Sequence, residues 1–180
     1  MGKAFRWSLV LVGSAAIVFA LGFFLQMNWA TQIWPLPSGR LSNIFISSIL
    51  AAIGAPVVWI GLIGEKRAMA GGAINLLVTN AGFAASTLGI YNRDPHPGLL
   101  IFIVISIVMV VLCAFLVVYS QRAQFSDTRP IPILLWISFI VFAALLLLTA
   151  IALIARRPNT FPWPLSAENS VMYGWIFLGA

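Results

Sequence analysis

The chain has 180 residues, of which 62% are hydrophobic and only 8% are charged, and its formal net charge at pH 7 is +6. A soluble domain carries about 25% charged residues, so this composition excludes a protein that exposes its whole surface to water. The basic residues lie singly or in pairs at the ends of apolar runs, which excludes the continuous cationic surface that nucleic acid requires.

The apolar residues come in blocks of about 20, the length that crosses a hydrocarbon core of ~30 Å, and they lack the alternation of barrel strands. We therefore predict an all-α integral membrane protein in contact with lipid. Five complete spans are predicted at about 8–26, 43–63, 70–91, 98–120 and 131–155. A sixth segment, 170–180, is too short to cross as a helix. We interpret 1–180 as a single transmembrane helical domain, and we expect the natural chain to continue beyond Ala180.

Two loops between spans carry the same motif. Thr31–Leu36 and Thr160–Leu165 both fit Thr-x-x-Trp-Pro-Leu, with an offset of about 129 residues, which predicts a partial internal repeat. Trp prefers the membrane–water interface, and Pro favours an extended or turned backbone. We interpret these loop residues as interfacial anchors or partner contacts, and a ligand or pigment site is the alternative. They are Trp29, Trp34, Pro35, Leu36, Trp163, Pro164 and Leu165.

The position of the Trp-Pro-Leu motif, after one span and before the next, resembles uncharacterised bacterial polytopic membrane proteins with a Trp-Pro-[Trp/Leu]-x-Leu loop. The resemblance covers only residues 34–36 and 163–165. It implies no activity for this chain.

The second span contains Pro56 near its middle, which predicts a kink, either static or a hinge.

The third span is the most polar. Asn75, Thr79, Gly82 and Ser86 share one helical face, and Asn80 lies beside it. We predict that this face forms interhelical hydrogen bonds, and a lined path for a small polar solute is the alternative.

His96 is the only histidine, and it lies in a loop between the third and fourth spans. Metal centres need three or four convergent ligands, so we predict no metal site and no cofactor. The alternative is that His96 is an axial ligand of a haem or chlorin. The lone cysteine, Cys113, excludes an internal disulfide.

The short loops carry an asymmetric distribution of Lys and Arg. With the N-terminus inside, the inner set is Lys3, Arg6, Lys66, Arg67, Arg122 and Arg129, against Arg40, Arg93, Arg156 and Arg157 outside. This six-to-four excess favours an N-inside orientation in the cytoplasmic (inner) membrane. Parallel repeats result, with both Trp-Pro-Leu loops on the outer face.

Motifs for phosphate-binding loops, dinucleotide folds, metalloproteases and serine hydrolases are missing from the sequence. We predict that the protein is not an enzyme. The leading hypothesis is a non-catalytic integral membrane subunit or accessory, structural protein. It would pack against other membrane proteins, lipids, pigments or a second copy of itself. The alternative is a small-solute transporter or channel that uses the polar face of the third helix.

Overall fold

The computed structural model describes residues 2–123 and 130–180, and these residues form helices and loops without strands. The helices are α1 (Lys3–Phe24), α2 (Asn28–Thr31), α3 (Arg40–Ile63), α4 (Met69–Tyr91), α5 (Pro97–Gln121), α6 (Ile133–Ile154) and α7 (Ala167–Gly179).

All but α2 and α7 are long and apolar enough to cross a membrane, giving five candidate spans in the described ranges. This confirms the predicted all-α membrane fold. The single turn α2, which the sequence analysis did not predict, opens the first Trp-Pro-Leu loop. Arg129, which is counted in the inner set of cations, lies outside the described residues.

The chain divides into two compact units. The first takes its described residues from 1–72 and 119–124, and contains α1, α2 and α3. The second takes its described residues from 73–118 and 125–180, and contains most of α4 and α5 with all of α6 and α7.

In the first unit, α1 and α3 form an antiparallel pair whose closest approach lies at glycines. A Cβ added to Gly54 would lie 2.8 Å from the carbonyl oxygen of Gly13, so there is no room for a side chain there. Such contact is how membrane helices gain packing energy without a hydrophobic drive between them. Two turns away, Ser47 Oγ donates a hydrogen bond to the Ala20 carbonyl at 2.7 Å. α3 continues without a break through Pro56.

The other end of this pair is closed by Arg6. Its Nε donates to the Gly61 carbonyl at 3.0 Å, and its guanidinium also bonds the carbonyl of Leu62. These carbonyls belong to the last turn of α3, where intrahelical partners run out. The helix stops at Gly64, whose φ of 86° suits a glycine. An arginine of α1 therefore caps α3.

In the second unit, α6 and α7 form a hairpin, and a glycine and a serine of α7 again make the close contacts between the two helices. A Cβ on Gly174 would lie 2.6 Å from Cγ1 of Ile154, and Ser170 Oγ donates to the Leu153 carbonyl at 2.8 Å. α4 and α5 meet through Phe83 and Phe102, whose ring centroids are 5.7 Å apart.

The tight α1–α3 contact predicts opposite effects for the same substitution at two helical glycines. Gly54→Ala should destabilise the protein by about 1–3 kcal/mol, because the added methyl must push the helices apart. Gly71→Ala should be neutral or stabilising by up to about 1 kcal/mol, since a Cβ there meets nothing within 4 Å and alanine favours a helix. Thermal unfolding of both variants in one detergent measures the difference. Equal stability of the two variants would contradict the proposed role of Gly54.

Candidate functional site

The two helices that precede the Trp-Pro-Leu loops end in the same way. The second residue after each helix adopts a left-handed conformation, with φ of 58° at Gln26 and 54° at Arg156. In both places its N–H donates to the carbonyl three residues back, and the next N–H donates to the carbonyl five residues back. This is the Schellman pattern, which usually has glycine at the left-handed position. Neither copy has the glycine.

The helices that follow the loops also bury equivalent positions. Ser42, Asn43, Ile46 and Ser47 of α3 are buried with the same spacing as four residues of α7. Those four are Asn169, Ser170, Tyr173 and Gly174.

The difference in residue number between equivalent positions of the two hairpins decreases from the first helix to the second. It is 130 between Gln26 and Arg156, and 129 between Trp34 and Trp163. Between Ser42 and Asn169 it is 127, so the second loop is three residues shorter. A single offset of about 129 therefore aligns the motif itself and not the helix that follows it.

A chain of hydrogen-bonded polar side chains lies in the first hairpin. Gln26 donates from Nε2 to the Phe23 carbonyl at 2.8 Å, and its Oε1 accepts from Nδ2 of Asn43 at 3.0 Å. Ser38 Oγ donates to the other side of the Asn43 amide, at 2.7 Å. These side chains join the end of α1 to the start of α3 beneath the loop.

The second hairpin replaces this chain with an open cavity. Arg156 stands in the place of Gln26, and Ser170, in the place of Asn43, bonds the Leu153 carbonyl directly. A cavity of about 490 Å³ lies under the loop, with Arg156, Arg157, Phe161, Trp163 and Ser170 in its wall. The same backbone turn thus carries a neutral chain of hydrogen-bonded side chains in one copy and a cavity with two arginines in its wall in the other.

Aromatic rings form one side of this cavity and hold the loop to α7. Phe161 meets Trp163 edge-on with ring centroids 4.5 Å apart, and it lies 5.5 Å from the ring of Tyr173. Tyr173 is fully buried, so Phe161 is fixed against a rigid neighbour. Of the other predicted loop residues, Leu165 is half-buried and Pro164 is exposed.

The first loop uses its tryptophans differently. Trp29, from α2, packs on the end of α1, where a Cβ on Gly22 would lie 2.7 Å from its ring. Its ring centroid is 5.3 Å from that of Phe19. Trp34, Pro35 and Leu36 are half-buried.

The polar face of α4 lies against Trp175 of α7. The indole Nε1 donates to Ser86 Oγ at 2.9 Å, and Thr79 Oγ1 donates to the Trp175 carbonyl at 3.3 Å. Between them, a Cβ on Gly82 would fall within the indole ring, so the glycine makes the space that the ring occupies. Asn80 instead bonds the Leu76 carbonyl of its own helix at 2.7 Å. The backbone carbonyl of Asn75 lies close to Gly179.

Trp175 and the Gln26–Asn43 pair were not predicted from the sequence. The i, i+3, i+7 spacing of Thr79, Gly82 and Ser86 indicates a groove with a hydroxyl on either side. The spacing does not indicate which side chain occupies the groove. Gln26 could have been found from its position, because it lies at the end of α1 in the place that Arg156 takes at the end of α6.

His96 is exposed, and its Nδ1 accepts a hydrogen bond from the backbone N–H of Gly98 at 3.1 Å. It therefore caps the start of α5, where backbone donors lack partners. In the ranges that the structure describes, no three His, Cys, Asp or Glu side chains come together as a metal site. Comparison with protein-family models, with curated proteins and with solved structures finds no match to this chain.

The Trp175–Ser86 hydrogen bond predicts a measurable coupling between α4 and α7. Ser86→Ala and Trp175→Phe should each destabilise the protein, and the double variant should cost less than their sum by about 0.5–1.5 kcal/mol. Unfolding free energies of the four proteins form the double-mutant cycle.

Ser48→Ala is the matched control, because Ser48 is exposed and bonds only the Phe45 carbonyl of its own helix. It should change stability by less than about 0.5 kcal/mol. Strictly additive losses at Ser86 and Trp175 would show that the hydrogen bond does not join the two helices.

Proposed function

We propose that this chain is a non-catalytic integral membrane subunit or accessory protein that packs against other membrane proteins. The observation that carries the proposal is the surface of α6. Every residue from 133 to 145 is exposed, although the helix has a mean hydropathy of 2.9. A helix that is apolar on all sides needs lipid or protein around it.

The aromatic side chains of α6 favour a protein neighbour over lipid alone. Trp136, Phe139 and Phe142 project from one side of the helix and are 53–61% exposed. Large aromatic side chains dominate the energetics of protein interfaces, because they bury much area and lose little conformational freedom. The same helix buries only Ala150 and Leu153, both near its far end. Its first two-thirds are therefore free to meet another chain.

The alternative of a solute path along α4 has less support. A path needs polar groups that face an open space, whereas Thr79 and Ser86 are engaged with Trp175. The ring that fills the groove over Gly82 would also block passage along this face. Interhelical bonding accounts for these residues without a transported solute.

We further propose that the N-terminus lies inside, in the cytoplasmic membrane. Positive side chains gather at one end of the first unit. Arg6 bonds the last turn of α3, and Lys66 lies 5.2 Å from the ring of Tyr119, which contacts Phe5. Cations in short loops are retained on the cytoplasmic side during insertion.

The subunit proposal predicts that α6 carries an association surface. Replacing Trp136, Phe139 and Phe142 together by Ala should weaken association with a larger complex by at least about tenfold, with the helical content kept. Native gels of mild-detergent extracts, with mass spectrometry of co-migrating chains, measure this. In the control variant, three residues of α5 that are also apolar and exposed are replaced by Ala, and association should be kept. They are Ile101, Val104 and Val108. Wild-type protein that migrates alone would overturn the proposal.

The transport alternative is tested on purified protein in liposomes. We expect no solute flux above that of empty vesicles. Flux that Asn75→Leu abolishes, with expression and fold intact, would replace the subunit proposal with a transporter.

A further inference from the structure

We propose that the cavity under the second Trp-Pro-Leu loop binds the anionic headgroup of a phospholipid. The proposal stands on the residues of the α6–α7 hairpin and does not depend on the subunit role. Its starting point is the contrast between the two hairpins, which share a backbone turn and differ in charge and filling.

The charge of the cavity wall favours an anionic ligand. The cavity of about 490 Å³ has Arg156 and Arg157 in its wall. Arg156 also lines a second cleft of about 230 Å³, together with Arg93 and Glu168. Three arginines and one carboxylate therefore surround this helix end. Guanidinium groups bind phosphate with paired, charge-assisted hydrogen bonds, so a phosphate ester is the ligand chemistry that fits.

The region beneath the loop differs between the two hairpins. In the first hairpin, Gln26 and Asn43 bond each other in the corresponding region, and Gln26 also bonds the Phe23 carbonyl. In the second, Ser170 uses its hydroxyl on the Leu153 carbonyl and leaves the region open. The residue at this turn is left-handed in both copies, with φ of 58° at Gln26 and 54° at Arg156, so the turn itself does not require an arginine.

The apolar wall favours a lipid over a free anion. Leu153, Phe161, Trp163 and Leu165 line the same cavity as the arginines. The last two turns of α6 expose Leu148 and Ile151 (64% and 55%), which gives acyl chains a surface beside the headgroup. Basic pockets at the ends of membrane helices bind anionic headgroups in this way.

The test compares lipid binding by the purified chain and by a variant that copies the first hairpin. Arg156→Gln with Arg157→Met installs the residues found at Gln26 and Met27. Native mass spectrometry with dioleoyl phosphatidylglycerol and dioleoyl phosphatidylcholine measures the relative affinities. We expect wild type to prefer phosphatidylglycerol by at least about tenfold, and the double variant to lose that preference, since each arginine supplies charged hydrogen bonds.

Two further variants keep the outcome interpretable. Arg40→Gln removes an exposed cation at the start of α3 and should keep the preference. Arg157→Met alone leaves the left-handed residue unchanged, and it should lose part of the preference even if the double variant fails to fold.

Three results would overturn the proposal. The first is equal binding of both lipids by wild type, and the second is an equal loss in Arg40→Gln, which would point to general surface charge. The third is competition by glycerol 3-phosphate at the affinity of the lipid, which would make the ligand a soluble anion.

Discussion

Close approach between helix backbones is the constraint on which the rest of this structure depends. Inside a membrane, apolar side chains gain little by leaving lipid for protein, so helices associate through tight packing and hydrogen bonds. Glycines meet this need, because the absence of a side chain lets the opposite helix come close. Examples are Gly54 against Gly13, Gly174 against Ala150, and Gly82 under Trp175. In two of these helix pairs, a serine hydroxyl also bonds a carbonyl of the opposite helix. Each pair is thus held by a steric fit and a polar bond.

The same constraint explains how the hairpins turn. Backbone groups at a helix end need partners, and water is scarce near the hydrocarbon core. The Schellman turns at Gln26 and Arg156 satisfy those carbonyls within the backbone, at the cost of a left-handed residue. Arg6 does the same for α3 with a side chain. The rigid ends that result let short, proline-containing loops lead directly into the next helix.

Much of this architecture could be predicted from the sequence, because membrane spans follow from length and composition alone. The predicted spans match α1, α3, α4, α5 and α6 to within a few residues at most ends, with a five-residue difference at the start of α1. The Trp-Pro-Leu motif predicted two related loops, and both loops follow the same helix end. Pattern reasoning also indicated that Thr79, Gly82 and Ser86 share a face.

Contacts between distant residues could not be predicted in the same way. The ring on that face belongs to Trp175, 89 residues beyond Ser86, and no local periodicity encodes such a pairing. The turn α2 was missed because the Trp and Pro content of its loop masked a single helical turn. The shift of the repeat from 130 to 127 depends on loop length, which a motif match does not measure.

The two hairpins also separate what the fold requires from what remains free to vary. Both copies keep the left-handed turn, the buried positions of the second helix, and the close contact near Ala20 or Ala150. These features determine the backbone. The residues beneath the loop differ, since Gln26 with Asn43 gives way to Arg156 with Ser170. Because the backbone does not need the polar chain, the second copy can do without it, and Arg156 and Arg157 lie in the wall of a cavity there.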